Sequence, residues 1–310
     1  MSYVFGPVPS RRLGLSLGVD LIPEKTCTFD CLYCQVGKTT FKTVKRGPFS
    51  PVREVVAEIR ESLLRSVPDA ITLAGSGEPT LHSEIDQIIS LIKDVTEIKV
   101  ALLTNGALFW IEDVRHGVLG ADIVMPTLSS AFESTFRRIH RPHPQLELRT
   151  IVDGLKLFRQ EYKGDLFMEV VLLAGINDTD RELEGLRTLI AQICPDKIQL
   201  NTVVRPPADS CAMALDTKRL MAIKRFFGSN AEIIADLQAA RGGVKEGFTT
   251  RSLLDMVRRR PLRQVDIANS LDLSASDVED LVEDLLRKGH IRTQEHSGDI
   301  YYLSNEKQIS

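Results

Sequence analysis

Six times between Leu15 and Val204 a short apolar run ends in a polar turn, and helix-spaced apolar residues intervene. The runs are Leu15 to Pro23, Ala70 to Ala74, Lys99 to Leu103, Ala121 to Leu128, Leu166 to Leu173 and Lys197 to Val204, with Ala231 to Ala235 a candidate seventh. Near-continuous apolar runs suit strands covered on both faces, and the helix patterns between them indicate parallel β/α units. Val55, Val56, Ile59 and Leu63 follow Ser50-Pro51, an expected N-cap and first-turn proline. Ile85, Ile88, Ile89 and Ile92 mark another helix, and Ile151, Val152, Leu155 and Phe158 share one face of a later one. Thr179 and Glu182 fit a capping box ahead of Leu183, Leu186, Ile190 and Ile193. The expected fold is α/β, and six such repeats suit part of a barrel better than a doubly wound sheet.

In a partial (β/α)6 TIM-like barrel the loops after the strands share one rim, where active sites are built. Here they are Thr26 to Gly37 (TCTFDCLYCQVG), then GSGEPT from Gly75, TNG from Thr104, LSS from Leu128, AGIND from Ala174 and NTVVRPP from Asn201. The first holds three of the five cysteines, Cys27, Cys31 and Cys34, in a C-x3-C-x2-C spacing. Three thiolates in one loop suit an iron–sulfur cluster, and they leave a four-iron cluster one iron short of full protein ligation. Structural zinc is the competing reading, but it wants four ligands, and no further Cys or His lies near in sequence. His82 reads as helix-entry chemistry, Cys194 as core packing and Cys211 as a loop cysteine near the mouth. An odd cysteine count with three crowded together opposes a disulfide framework and favours a reducing cytoplasm.

A net charge of −3 provides no global field to recruit nucleic acid or an anionic membrane. No apolar run approaches the roughly 20 residues of a membrane-spanning helix. MSYVFGPVPSRR has no apolar h-region, so a secretory signal is not expected.

The cysteine spacing, Tyr33 just before Cys34, and the downstream Gly75, Gly77, Glu78 and Pro79 together resemble the radical S-adenosylmethionine (radical SAM) superfamily. The resemblance runs from about residue 15 to 205. It implies that Cys27, Cys31 and Cys34 bind three irons of a [4Fe–4S] cluster whose fourth iron holds S-adenosylmethionine. Reductive cleavage of that cofactor would yield a 5′-deoxyadenosyl radical that takes hydrogen from substrate, with an electron donor such as flavodoxin or ferredoxin. Tyr33 would lie near the adenine, Gly75 to Pro79 near the methionyl ammonium, and Thr104, Asn105 and Ser129 at polar cofactor contacts. Asn201 and Arg205 are candidates at the mouth, and Glu169 points either inward or outward. GPVPSRRLGLSLGVDLIP and IQLNTVVRPPA are similar to the tRNA wyosine-forming, imidazoguanosine-building enzymes. The chain departs from them in having no cysteine before Cys27 and a different C-terminal segment.

The barrel is expected over residues 1–240, with Gln238 to Glu246 (QAARGGVKE) as a linker. Residues 247–310 read as helices at Thr250 to Arg259, Arg263 to Ser270 and Ser274 to Lys288, then strands within Ile291 to Leu303 joined at His296 to Asp299. That is the winged-helix order. The third helix buries Val278, Leu281, Val282, Leu285 and Leu286 and carries Asp277, Glu279, Asp280, Glu283 and Asp284 elsewhere, which argues against DNA binding. Lys38, Lys42, Lys45 and Arg46, and separately Arg137, Arg138, His140, Arg141 and His143, are candidate basic groups near the mouth. The function expected is a cytoplasmic radical SAM enzyme acting on a tRNA nucleoside. Its rivals are an enzyme modifying a protein partner docked by the winged helix, and an iron–sulfur redox regulator of DNA.

Overall fold

The computed structural model describes residues 2–234, 250–271 and 273–305. Its strands are β1 (Val4–Ser10), β2 (Gly14–Val19), β3 (Thr26–Cys27), β4 (Phe41–Lys42), β5 (Ala70–Leu73), β6 (Lys99–Thr104), β7 (Ile123–Pro126), β8 (Asp165–Leu172), β9 (Lys197–Thr202) and β10 (Ala231–Ile233). Helices α1 (Val52–Arg65), α2 (Ile85–Val95), α3 (Glu112–Gly117), α4 (Glu133–His140), α5 (Leu148–Glu161), α6 (Asp180–Ile193) and α7 (Thr217–Phe227) alternate with them. One sheet runs in the order β1-β2-β5-β6-β7-β8-β9-β10, parallel from β2 onward. Only β1 is antiparallel, pairing with β2 at the edge.

The sheet curls. Arg11, in the turn between the first two strands, donates to the Ile234 carbonyl just beyond β10 (3.2 Å), at the opposite edge of the sheet. Its neighbour Arg12 forms an ion pair with Glu169 of β8. Contacts between the two ends of the sheet order are those of a partial barrel. The strands between them are apolar on both faces: all four residues of β5 are buried, as are all four of β7. Helix α2 lays Ile85, Ile88, Ile89 and Ile92 against them, and α5 does the same with Ile151, Val152, Leu155 and Phe158.

Three local expectations are corrected. Ser50 does not cap α1, whose N-cap is Pro51 without a side-chain bond; the Ser50 hydroxyl instead lies 3.1 Å from His82 Nε2 in the core. Thr179 does cap α6, but Glu182 closes no box, because its carboxylate accepts from the Ala131 N–H (2.9 Å). Cys194 is exposed rather than packed in the core; it is the left-handed C-cap of α6.

Beyond residue 249 come α8 (Thr250–Arg259), α9 (Gln264–Leu271), α10 (Ala275–Arg287) and the hairpin β11 (Ile291–His296) and β12 (Asp299–Ser304), joined by a turn at Ser297-Gly298. The expected linker and the boundaries at 240 and 247 lie outside the described residues. The C-terminal unit has its own core, including Leu253, Met256, Val257, Ile267, Val278, Val282 and Leu285, and Val8 of β1 is part of it. Tyr301 donates to the Val204 carbonyl (2.7 Å) after β9. The unit is therefore seated on the sheet edge and on the loop after β9. Among the described residues no helix is long and apolar enough to cross a membrane.

Candidate active site

The loops after the parallel strands enclose a cavity of about 390 Å³. Its lining includes Cys27, Cys31, Tyr33, Cys34, Gly75, Gly77, Glu78, Pro79, Thr104, Asn105, Asn201 and Arg205. Twelve of the thirteen residues singled out from the sequence thus meet at one space. The exception is Ser129, fully buried, whose hydroxyl accepts from the Val171 N–H (2.9 Å) and whose carbonyl accepts from Asn177 Nδ2 (2.6 Å). Its hydroxyl holds the β7 loop to β8.

The cysteine loop is fixed at both ends. Thr26 and Cys27 pair with Phe41 and Lys42 in the short β3–β4 ladder. Across from α4, Asp30 and Leu32 donate to the carbonyls of His140 and Ile139 (both 2.9 Å). His140, expected as a basic group near the mouth, is 2% exposed, with Nδ1 3.3 Å from Cys31 Sγ and 3.5 Å from Tyr33 Oη. Burial pushes its pKa down to about 3, so it stands as a neutral imidazole beside the thiol. No periodicity signals this, since a histidine at a helix end reads equally well as a dipole partner.

The GSGEPT loop lies against the cysteine loop at backbone distance. Lys25 N donates to the Ser76 carbonyl (3.0 Å) and Glu78 N to the Thr26 carbonyl (3.2 Å). A Cβ on Gly77 would sit 2.1 Å from that Thr26 oxygen, which is why glycine is required there. Glu78 is 2% exposed, and its oxygens accept from Thr80 N (3.1 Å), Thr80 Oγ1 (2.7 Å), Thr104 Oγ1 (2.6 Å) and Asn105 N (2.8 Å). Desolvation raises its pKa while these four bonds oppose the rise. Glu78 thereby joins two rim loops, and the TNG loop presents Asn105 Nδ2 to Thr28 Oγ1 (2.7 Å) and towards Cys27 Sγ (3.6 Å).

The three thiols are unpaired and partly exposed to the cavity. Burial, with Glu78 as a second cause, pushes the Cys27 thiol up to about 12. Only a strong Lewis acid or cationic group would hold it as thiolate. Among the described residues no three His, Cys, Asp or Glu side chains converge as ligands of one metal ion, as zinc would demand. A multi-iron cluster takes each thiolate at a different iron and does not require that convergence. Beneath the loop, the Lys25 ammonium is buried without a hydrogen-bond partner among the described residues, and Cys34 is the first group that acts to keep it charged. An orphaned cation behind three thiols fits an anionic cluster.

The opposite wall is polar, and Glu169, whose direction the sequence left open, points inward. Glu169 faces the cavity, where it accepts from Asn201 Nδ2 (2.9 Å) and Thr127 Oγ1 (3.2 Å) as well as pairing with Arg12. Asn201 Oδ1 in turn accepts from Arg11 (3.3 Å). Three of the basic groups expected at the mouth are engaged elsewhere: Arg46 donates to the Thr80, His82 and Ser83 carbonyls, Arg137 pairs with Glu133, and Arg141 with Asp209. Cys211, beside Asp209, is exposed and does not line the cavity.

A family model described as the radical SAM superfamily matches residues 21–189, more than half of the chain. The chain belongs to that superfamily. It is accordingly an enzyme, and its reaction is unassigned by that membership. A UPF0026 protein of Methanocaldococcus jannaschii is 32% identical over 99% of this chain and 97% of its own length. A GTPase Obg of Brachyspira hyodysenteriae is 36% identical over 97% of this chain, which spans 45% of that protein. Among solved structures, a radical SAM methyltransferase from Sphaerobacter thermophilus superposes with a TM-score of 0.55 at 16% identity, covering 70% of this chain and 65% of that one. This last likeness is one of fold.

Proposed function

We propose that Cys27, Cys31 and Cys34 hold a [4Fe–4S] cluster that cleaves S-adenosylmethionine reductively, and that the enzyme uses the resulting radical to take hydrogen from a substrate. The observation that carries this reading is the opening of all three free thiols into the cavity that the GSGEPT and TNG loops border, with the unpaired Lys25 ammonium behind them. When bound, the cluster supplies the electron and an open iron for the cofactor's amino and carboxylate groups. The chain's own residues supply placement. Asn105 aims an N–H at the Cys27 sulfur, and Glu78 fixes the TNG loop against the glycine loop. Tyr33 lends an aromatic wall, and the backbone from Gly75 to Pro79 approaches without a Cβ at the two glycines.

For the substrate we favour a nucleoside, with tRNA as its carrier. The two stretches similar to wyosine-forming enzymes both contribute to the cavity wall, through Val8 to Leu13 and through Asn201 to Arg205. A small electron-transfer protein would supply reducing equivalents. The deciding experiment is anaerobic reconstitution with iron and sulfide, followed by reductant and S-adenosylmethionine. The wild type is expected to form 5′-deoxyadenosine and Cys27→Ala to form none. Equal product from the variant would remove the assignment. Identical tRNA nucleoside profiles from cells with and without the gene would remove the nucleoside.

A further inference from the structure

The cavity lining contains five arginines drawn from three parts of the chain: Arg11 and Arg12 after β1, Arg205 after β9, and Arg259 and Arg260 at the end of α8. Two have carboxylate partners within the fold, Arg12 on Glu169 and Arg259 on Asp20 (3.1 Å). Among the described residues the other three have none. Arg11 donates to the neutral oxygens of Asn201 and Ile234, and Arg205 to Gln35 Oε1 (3.1 Å). The Arg260 side chain has no hydrogen bond or ion pair among the described residues, and its Nε is buried without a partner. Glu169 acts on Arg11 from a distance but is itself held by Arg12, and Asp266 acts on all three but is already bound by Arg263 through both oxygens (3.2 and 3.3 Å).

Burial and mutual repulsion leave their mark. Desolvation, and then the charges of Arg205 and Arg12, bring Arg11 down to about 9; desolvation, with Arg205 next, does the same to Arg260. Arg11 and Arg260 still carry charge at neutral pH, and burial lowers Arg205 as well. Three buried guanidinium groups without an ion pair of their own, lining one cavity, cost stability unless an anion answers them.

We propose that Arg11, Arg205 and Arg260 bind a phosphate group of the substrate, and that the C-terminal unit completes the active site by supplying Arg260. A carboxylate answers one positive charge; a phosphate monoester carries up to two over three terminal oxygens, and a phosphodiester carries one but offers ester oxygens beside its two terminal ones to forked donors. This rests on the reading of the cavity as the active site. The unit's hairpin is tied to the same wall: His296 Nε2 meets the Val203 carbonyl (3.2 Å) and Tyr301 the Val204 carbonyl, on the two residues preceding Arg205. The three-helix-and-hairpin segment thus serves as a wall of the cavity rather than as a detached nucleic-acid reader.

The test is calorimetric titration of the cluster-reconstituted full chain with inorganic phosphate, acetate and a dinucleoside monophosphate, with and without saturating S-adenosylmethionine. Phosphate is expected to bind the wild type, with acetate at least tenfold weaker. Arg260→Met and Arg205→Met should each weaken phosphate by about tenfold or more, the worth of a charge-assisted hydrogen bond, and Arg260→Lys by less. Because the Arg260 side chain makes no hydrogen bond or ion pair among the described residues, Arg260→Met without phosphate should melt at or above the wild-type temperature. Dinucleotide binding that depends on the same arginines places the phosphate in a nucleic-acid backbone. Its absence alongside phosphate binding places it on a small molecule, and either result supports the site. Phosphate that fails to bind, binds the variants as well as the wild type, or competes with S-adenosylmethionine overturns the proposal. None of these readings needs cofactor cleavage, so 5′-deoxyadenosine formation stands or falls separately.

Discussion

Glu78 lines the cavity yet is 2% exposed, and four donors from Thr80, Thr104 and Asn105 converge on its carboxylate. Replacing it with alanine leaves those donors without their acceptor in a buried site. Glu78→Ala is expected to lose about 2–4 kcal/mol of stability and to free the TNG loop that carries Asn105. Denaturant unfolding measures the first effect, and S-adenosylmethionine affinity of the reconstituted protein the second. An unchanged affinity would mean that the loop holds its shape without the carboxylate. Glu78 was legible because its neighbours form a recognisable Gly-x-Gly-Glu-Pro string. Arg11 and Arg260 were not, because nothing in their local sequence distinguishes a cavity arginine from a solvated one; about 250 residues of chain must fold before they share a space. Ser50 shows the same limit in reverse: Ser-Pro before an apolar stripe is a sound capping signal, yet a buried histidine took the hydroxyl instead.

At the scale of elements, apolar content marked the strands well where both faces are covered. It failed at β1, whose sequence VFGPVPS has two prolines and a glycine and no alternation. An edge strand tolerates proline because one side of its backbone needs no partner, so propensity spoke against a strand that the edge position allows. Loop-to-loop contact is the other thing periodicity does not encode. The glycine loop touches the cysteine loop through Gly77, where a Cβ would meet Thr26 O at 2.1 Å and Ile22 Cγ2 at 2.6 Å. A backbone carbonyl has no rotamer through which to yield. Gly77→Ala is therefore expected to push the two loops apart, costing about 1–3 kcal/mol. The iron retained per chain after anaerobic reconstitution and desalting should fall with it. Full iron retention and an unshifted melting temperature would show that the contact has slack.

For the whole molecule, the question is whether the C-terminal unit is an attached module or part of one cooperative structure. Its acidic third helix is a poor match for phosphates: Arg287 and Lys288 both bridge to Asp284, at 2.7 and 2.5 Å, leaving the remaining carboxylates unopposed on that helix. Its inner side, by contrast, is continuous with the barrel edge. Val8 is buried in the unit's own core with Phe5 packed against it, and the Arg259 guanidinium lies 4.8 Å above the Phe5 ring while holding Asp20. Asp20 also accepts from the Ser76 hydroxyl (2.6 Å), so the end of α8 is linked through one carboxylate to the glycine loop. A unit this small buries only about 60% of its unfolded surface by itself, which makes the shared core a large part of its stability. Heating is accordingly expected to give one calorimetric transition. The fluorescence of Trp110, the chain's single tryptophan, should report the same midpoint as hydrogen exchange in α10. Val8→Ala, removing about 1.5–3 kcal/mol of burial, should move both probes together. If α10 exchanged early while Trp110 kept the wild-type midpoint, the unit would be an independent module, and the coupling that places Arg260 in the cavity would be weak.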